Sequence, residues 1–153
     1  MKTAIIIEDE LDAQELLRSI IEEYCLDLNV IGVAANKAAG RKLIMAQRPD
    51  IVFLDIQLGT DIGFQIMEEI EDCSFKLIVT TAYKDYAFEA FKHKALDYIV
   101  KPYSPKSIIS TINRTLKIID QNLIYNKIDN LMKNNGQNKI CLLYTSPKPT
   151  RPY

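Results

Sequence analysis

The chain has 153 residues, 48% of them hydrophobic and 25% charged, with a formal net charge of -1. That is about one domain's length, and the balance argues against a disordered acidic segment and against a strongly basic nucleic-acid binder. The charge is uneven: acids outnumber bases up to residue 124, whereas beyond it Lys127, Lys133, Lys139, Lys148 and Arg151 face Asp129 alone. Cys25, Cys73 and Cys141 are widely spaced, odd in number and lack a CxxC pair, which leaves no full disulfide framework and no zinc motif. One histidine, His93, cannot build a two-histidine metal centre and gives a Ser/His/Asp triad a single ring to use. No apolar run approaches the roughly 18 residues of a membrane span or a signal-peptide core, so no membrane association and a cytoplasmic location are expected.

In chain order, Ala4 to Ile7 is a short β-branched run ending abruptly in acid, the pattern of a strand buried on both faces. Ala13, Leu16, Leu17, Ile20, Ile21 and Tyr24 then fall on one stripe of a helix, with Glu15, Arg18, Glu22 and Glu23 on the other face. Val30 to Ala35 reads as a strand, Lys37 to Gln47 as a helix stopped by Pro49, and Ile51 to Leu54 as another apolar strand. Gly59 and Gly63 punctuate a loop before Phe64, Ile66, Met67 and Ile70 set up a third helix, and Leu77 to Val79 is a fourth strand. Tyr86, Ala87, Ala90 and Phe91 make a short fourth helix, and Tyr98 to Val100 a fifth strand closed by Lys101-Pro102. Ile108, Ile112, Leu116, Ile119 and Leu123 trace a fifth helix opening near Ser104-Pro105.

Alternating strands and helices over residues 3 to 124 predict an α/β fold: a doubly wound five-stranded parallel sheet with helices on both faces. Sites in such sheets lie at the carboxyl ends of the strands. In the flavodoxin-like order 2-1-3-4-5, that edge gathers Glu8 and Asp9 after strand 1, Asp55 after strand 3, Thr80 and Thr81 after strand 4, and Lys101 after strand 5. Three carboxylates at one edge repel unless a cation joins them, and hard oxygen ligands without His or Cys favour Mg²⁺. An ammonium and a hydroxyl around one carboxylate suit a phosphoryl group, with Asp55 as nucleophile.

With those residues in place, the chain resembles the receiver domains of two-component response regulators over about residues 2 to 124. The resemblance rests on Ile5-Ile6-Ile7-Glu8-Asp9-Glu10, Ile51-Val52-Phe53-Leu54-Asp55-Ile56, Thr80-Thr81-Ala82 and Asp97-Tyr98-Ile99-Val100-Lys101-Pro102, in that order. It implies Asp55 as phosphoacceptor, and Mg²⁺ held by Asp9, by Asp55, by Glu8 through water and by the Gln57 backbone carbonyl. It implies that Thr81 and Lys101 contact the phosphoryl oxygens, that Tyr98 is an aromatic switch working with Thr81, and that Lys101-Pro102 is cis. Glu8 stands where the family more often has aspartate, and Asp55-Ile56-Gln57-Leu58-Gly59 lacks the frequent proline; neither change removes a reactive group. The run Thr81-Ala82-Tyr83-Lys84-Asp85-Tyr86-Ala87-Phe88-Glu89-Ala90-Phe91 is most similar to receivers preceding a LytTR-type DNA-binding domain.

The function so implied is a signalling switch. A sensor histidine kinase donates phosphoryl to Asp55, and the protein is no turnover enzyme beyond self-phosphorylation and autodephosphorylation. Phosphorylation would favour a homodimer through helix 4, strand 5 and helix 5, and DNA binding for transcription regulation would come only through a missing output domain. Residues 125 to 140 are expected to be a linker and the start of that domain. Cys141-Leu142-Leu143-Tyr144-Thr145-Ser146 resembles a translated transposase adapter, so residues 141 to 153 are expected to be a non-native or disordered tail. Two other readings meet specific obstacles. A haloacid-dehalogenase-type phosphohydrolase needs a second acid where Gln57 stands, and a flavodoxin-like small-molecule binder needs phosphate donors where Glu8-Asp9-Glu10 is acidic.

Overall fold

Strands that are apolar at every position bury both faces of a sheet. Ile5, Ile6 and Ile7, and likewise Ile51, Val52, Phe53 and Leu54, are all at most 1% exposed. The computed structural model describes residues 1–70, 74–82 and 95–134. Its main sheet contains β1 (Lys2–Ile7), β2 (Leu28–Ala34), β3 (Ile51–Asp55), β4 (Lys76–Thr81) and β5 (Asp97–Val100), in the order β2-β1-β3-β4-β5. Every neighbouring pair is parallel. This is the expected flavodoxin-like order. Between the strands lie α1 (Leu11–Tyr24), α2 (Lys37–Gln47) and α3 (Gln65–Glu69), and a long helix spans Pro105–Asn134.

Alternate strand residues Ile5, Ile7, Val52, Leu54, Leu77 and Val79 form one cluster with Ala34, Ile44, Phe64 and Ile66. At the amino edge of the sheet, Thr3 N–H donates to Asp50 Oδ2 (2.8 Å) and Asp50 N–H to the Thr3 carbonyl (3.0 Å), which pins the entry of β3 to β1. That pin and the β1–β3 register, Ala4 opposite Ile51 through Ile7 opposite Leu54, carry Glu8 and Asp55 to the same edge.

Some boundaries differ from the sequence reading. β2 starts at Leu28 and ends at Ala34, two residues before and one before the expected limits. α3 has five residues, with Phe64 capping it and Ile70 extended, so two of the four apolar residues expected inside the helix stand at its ends. The long helix opens as expected, with Ser104 Oγ accepting from Ser107 N–H (3.1 Å), and runs to Asn134, through the stretch where Ile124, Ile128 and Leu131 keep helical spacing and the asparagines predict fraying into a linker. Asparagine weakens a helix by only about 0.7 kcal/mol. The Asp129–Lys133 pair (3.2 Å), one turn apart, works in the opposite direction. The chain divides into two compact units, Met1–Asn113 and Arg114–Tyr153. In the second, Ile124 and Leu131 of the helix are exposed. No helix among the described residues is long and apolar enough to cross a membrane. The expected fourth helix, His93, Cys73, Cys141 and the tail 141–153 lie outside the described residues.

Candidate functional site

The carboxyl edge of β1, β3, β4 and β5 holds the polar residues that the sequence places at strand ends. Glu8 follows β1 directly and is 2% exposed. Its N–H donates to the Ala34 carbonyl (2.9 Å), and its own carbonyl accepts from Gln14 Nε2 (2.5 Å). Asp55 ends β3 at 5% exposure, and its Oδ1 accepts from Gln57 N–H (3.1 Å). Asp9, the most open of the three acids, accepts at Oδ2 from Gly59 N–H (3.0 Å). Carboxylate oxygens of Glu8, Asp9 and Asp55 all lie within 4.8 Å of one another. A set of hard oxygen donors at that separation fits Mg²⁺.

Lys101 supplies the opposing charge. Its Nζ donates to Asp55 Oδ2 (2.9 Å) and to Glu8 Oε1, and its N–H donates to the Thr81 carbonyl (2.7 Å). The Lys101-Pro102 bond is cis, as expected. Asp9, Glu10, Asp55, Gln57, Gly59, Thr81, Ala82 and Lys101, with Ile56, line an open cavity of about 280 Å³. Glu8 is not in that lining. Tyr98 is half-buried and packs against the central apolar cluster, away from the cavity wall.

Burial, with the neighbouring Asp55, pushes the Glu8 carboxyl up to about 8, although Lys101 pulls against the rise. Burial also acts against the Lys101 ammonium, but its hydrogen bonds to Glu8 and Asp55 outweigh that and hold its pKa above the ordinary lysine range. The charges of Glu8 and Lys101 are therefore sensitive to what enters the cavity.

Two residues matter that the sequence reading passed over or read only as loop punctuation. Gly63 lies so close to β3 that an added Cβ would sit 2.1 Å from the Asp55 carbonyl oxygen, while its N–H donates to the Ile56 carbonyl (2.5 Å). Tyr103, just past the cis bond, has its ring centroid 6.0 Å from Lys101 Nζ. A glycine inside a loop hints at close approach; nothing in the sequence marks Tyr103.

The decisive comparison is with protein families: residues 4–113 match the response regulator receiver domain. The chain belongs to that family. This receiver is 34% identical to an uncharacterized response regulatory protein of Vibrio vulnificus, over 95% of this chain and 63% of the relative. It is 35% identical to the sensory transduction protein LytT of Bacillus cereus, over 76% of this chain and 48% of the relative. The receiver thus spans about half to two thirds of these relatives' length. Among solved structures it resembles the response regulatory domain of MrkE from Klebsiella pneumoniae, with 29% identity and a TM-score of 0.71, covering 78% of this chain and 98% of that one. The expected family and fold are borne out.

Proposed function

We propose that this receiver is a phosphorylation-dependent switch in which Asp55 accepts a phosphoryl group from a sensor histidine kinase. The observation that carries the reading is the buried Asp55 carboxylate, 2.9 Å from Lys101 Nζ, at the wall of an open cavity that Asp9 and Thr81 also line. In the transfer, an Asp55 oxygen forms a bond to phosphorus as the bond from phosphorus to the donor's leaving atom breaks, and the leaving group departs with that electron pair. Lys101 and Thr81 donate to the phosphoryl oxygens, where charge is densest. Glu8, Asp9, Asp55 and the Gln57 carbonyl would hold Mg²⁺, which supplies positive charge to the same oxygens. The same residues would support slow hydrolysis of the acyl phosphate, without turnover of a free metabolite.

Tyr98, on β5 beside the apolar cluster, would change its packing when Thr81 is drawn to the phosphoryl group. The output would be a LytTR-type DNA-binding domain in a cytoplasmic transcription regulator, with dimerisation through the fourth helix, β5 and the long helix. The similarity to LytT and the greater length of the relatives support that output. Residues 125 to 140 would then lead toward it, and 141 to 153 would carry no function.

The test is Mg²⁺-dependent phosphoryl uptake from acetyl phosphate, followed by intact mass. One phosphoryl group should appear on the wild-type chain and none on Asp55→Asn. Equal uptake by both would place the acceptor elsewhere and overturn the reading.

A further inference from the structure

Lys101 is long and flexible, and among the described residues its ammonium is held by two carboxylates, Glu8 and Asp55. If Asp55 becomes an acyl phosphate, as the reading above has it, one of those holds changes shape and charge. The ammonium must then follow the new oxygens; staying with Glu8 or turning to solvent would take it out of the reaction. Something other than the carboxylates has to limit its range.

Tyr103 is placed to do so. It lies two residues along the chain and is half-buried, with its ring centroid 6.0 Å from Lys101 Nζ. That separation is the outer limit of cation–π attraction, so the ring acts mainly as a wall and only weakly as a binding partner. The hydroxyl is buried and makes no well-formed hydrogen bond among the described residues. The Thr80 side chain nonetheless lies near enough to favour the phenolate, against the burial that pushes this pKa up to about 12, and Lys101, Glu8 and Asp55 also act on it electrostatically. A tyrosine serving only as packing would turn this hydroxyl to water, because an unpaired buried polar group is unfavourable. Here it is buried.

We propose that Tyr103 is a positioning residue for Lys101, its ring confining the ammonium to the Asp55 side of the cavity. The inference rests on the phosphoacceptor reading of Asp55. It acts through Lys101 and requires no contact with the phosphoryl group.

A double-mutant cycle on the full chain tests it, with phosphoryl uptake from acetyl phosphate in Mg²⁺ as the readout. Y103L should slow uptake by about tenfold, the scale of a reacting group held loosely, whereas Y103F, which keeps the ring, should stay within about threefold of wild type. In a K101A background Y103L should have no further effect. An equal slowing in both backgrounds, or no slowing in Y103L, would overturn the proposal. Should Y103L not fold, Y103M makes the same comparison. A second readout separates this inference from the reading beneath it: the ε-methylene ¹³C resonance of Lys101, assigned with K101A, without any phosphoryl donor. It should stand apart from the other lysines in wild type and Y103F and merge with them in Y103L. If wild type takes up no phosphoryl, the acceptor reading fails and this resonance alone decides whether Tyr103 holds Lys101; a signal unchanged in Y103L overturns it.

Discussion

A methyl group on Gly63 would sit 2.1 Å from the Asp55 carbonyl oxygen, and because the obstacle is backbone, no side-chain rotation can relieve it. Gly63→Ala should therefore push the loop off the end of β3 and cost about 2–4 kcal/mol, as other overpacking and strain substitutions do. Chemical denaturation should show the loss, and phosphoryl uptake should fall with it, since Gln57 N–H holds Asp55 Oδ1 from the same loop. Unchanged stability would mean the loop has room to move. Glu8, Asp55 and Lys101 are legible in the sequence because each is a charged residue directly after an apolar run, with Asp9 next to Glu8, a contrast that needs no partner to be seen. Gly63 and Tyr103 owe their importance to what lies across a tertiary contact, and sequence spacing carries no record of that distance.

Local signals are most complete in α2. Asn36 Oδ1 accepts from Ala39 N–H (2.9 Å), and Pro49 follows the helix, so both ends of Lys37–Gln47 are written in neighbouring residues. α3 carries no such signals at either end, and its apolar spacing alone overstated its length. Its start follows the short antiparallel pair Gln57–Leu58 with Asp61–Ile62 and the close approach of Gly63 to Asp55. The long helix goes further than its weakened spacing predicts: its asparagines weaken it without stopping it, and no proline occurs between Pro105 and Pro147. One element-level expectation follows from the end of α2. Arg48 adopts φ 47°, ψ 64°, a left-handed conformation in which a Cβ costs roughly 1 kcal/mol. Arg48→Gly should raise stability by about 0.5–1 kcal/mol in a thermal melt, less whatever freedom glycine adds to the unfolded chain. A loss of stability would show that the arginine side chain contributes more than its backbone costs.

Across the whole molecule, topology was the most legible feature, because strands apolar on both faces fit a parallel sheet and right-handed crossovers leave few orders. That topology also loads the sheet edge with like charge, which makes global stability depend on pH and on Mg²⁺. Glu8 is pushed up to about 8 in the folded chain, chiefly by burial, from 4.5 unperturbed. Folding therefore takes up a proton at Glu8 between those values. The stability this contributes is fully present below pH 4.5 and lost as pH rises through about 8. In EDTA, stability should fall by about 2 kcal/mol between pH 6 and pH 8, at about 1.4 kcal/mol per unit well below the folded value and less steeply as pH reaches it. Glu8→Gln, unable to ionise, should flatten that slope and leave the variant more stable than wild type at pH 8. Millimolar Mg²⁺ should restore the wild type at pH 8, because a cation bound only by the folded, ionised cluster adds its binding energy to folding, and Asp9→Asn should weaken that recovery. Denaturant midpoints at pH 6 and 8, with EDTA and with Mg²⁺, decide the matter. A flat profile in EDTA for wild type and Glu8→Gln alike would mean that Lys101 already keeps Glu8 ionised in the folded chain, leaving magnesium binding without a proton to displace.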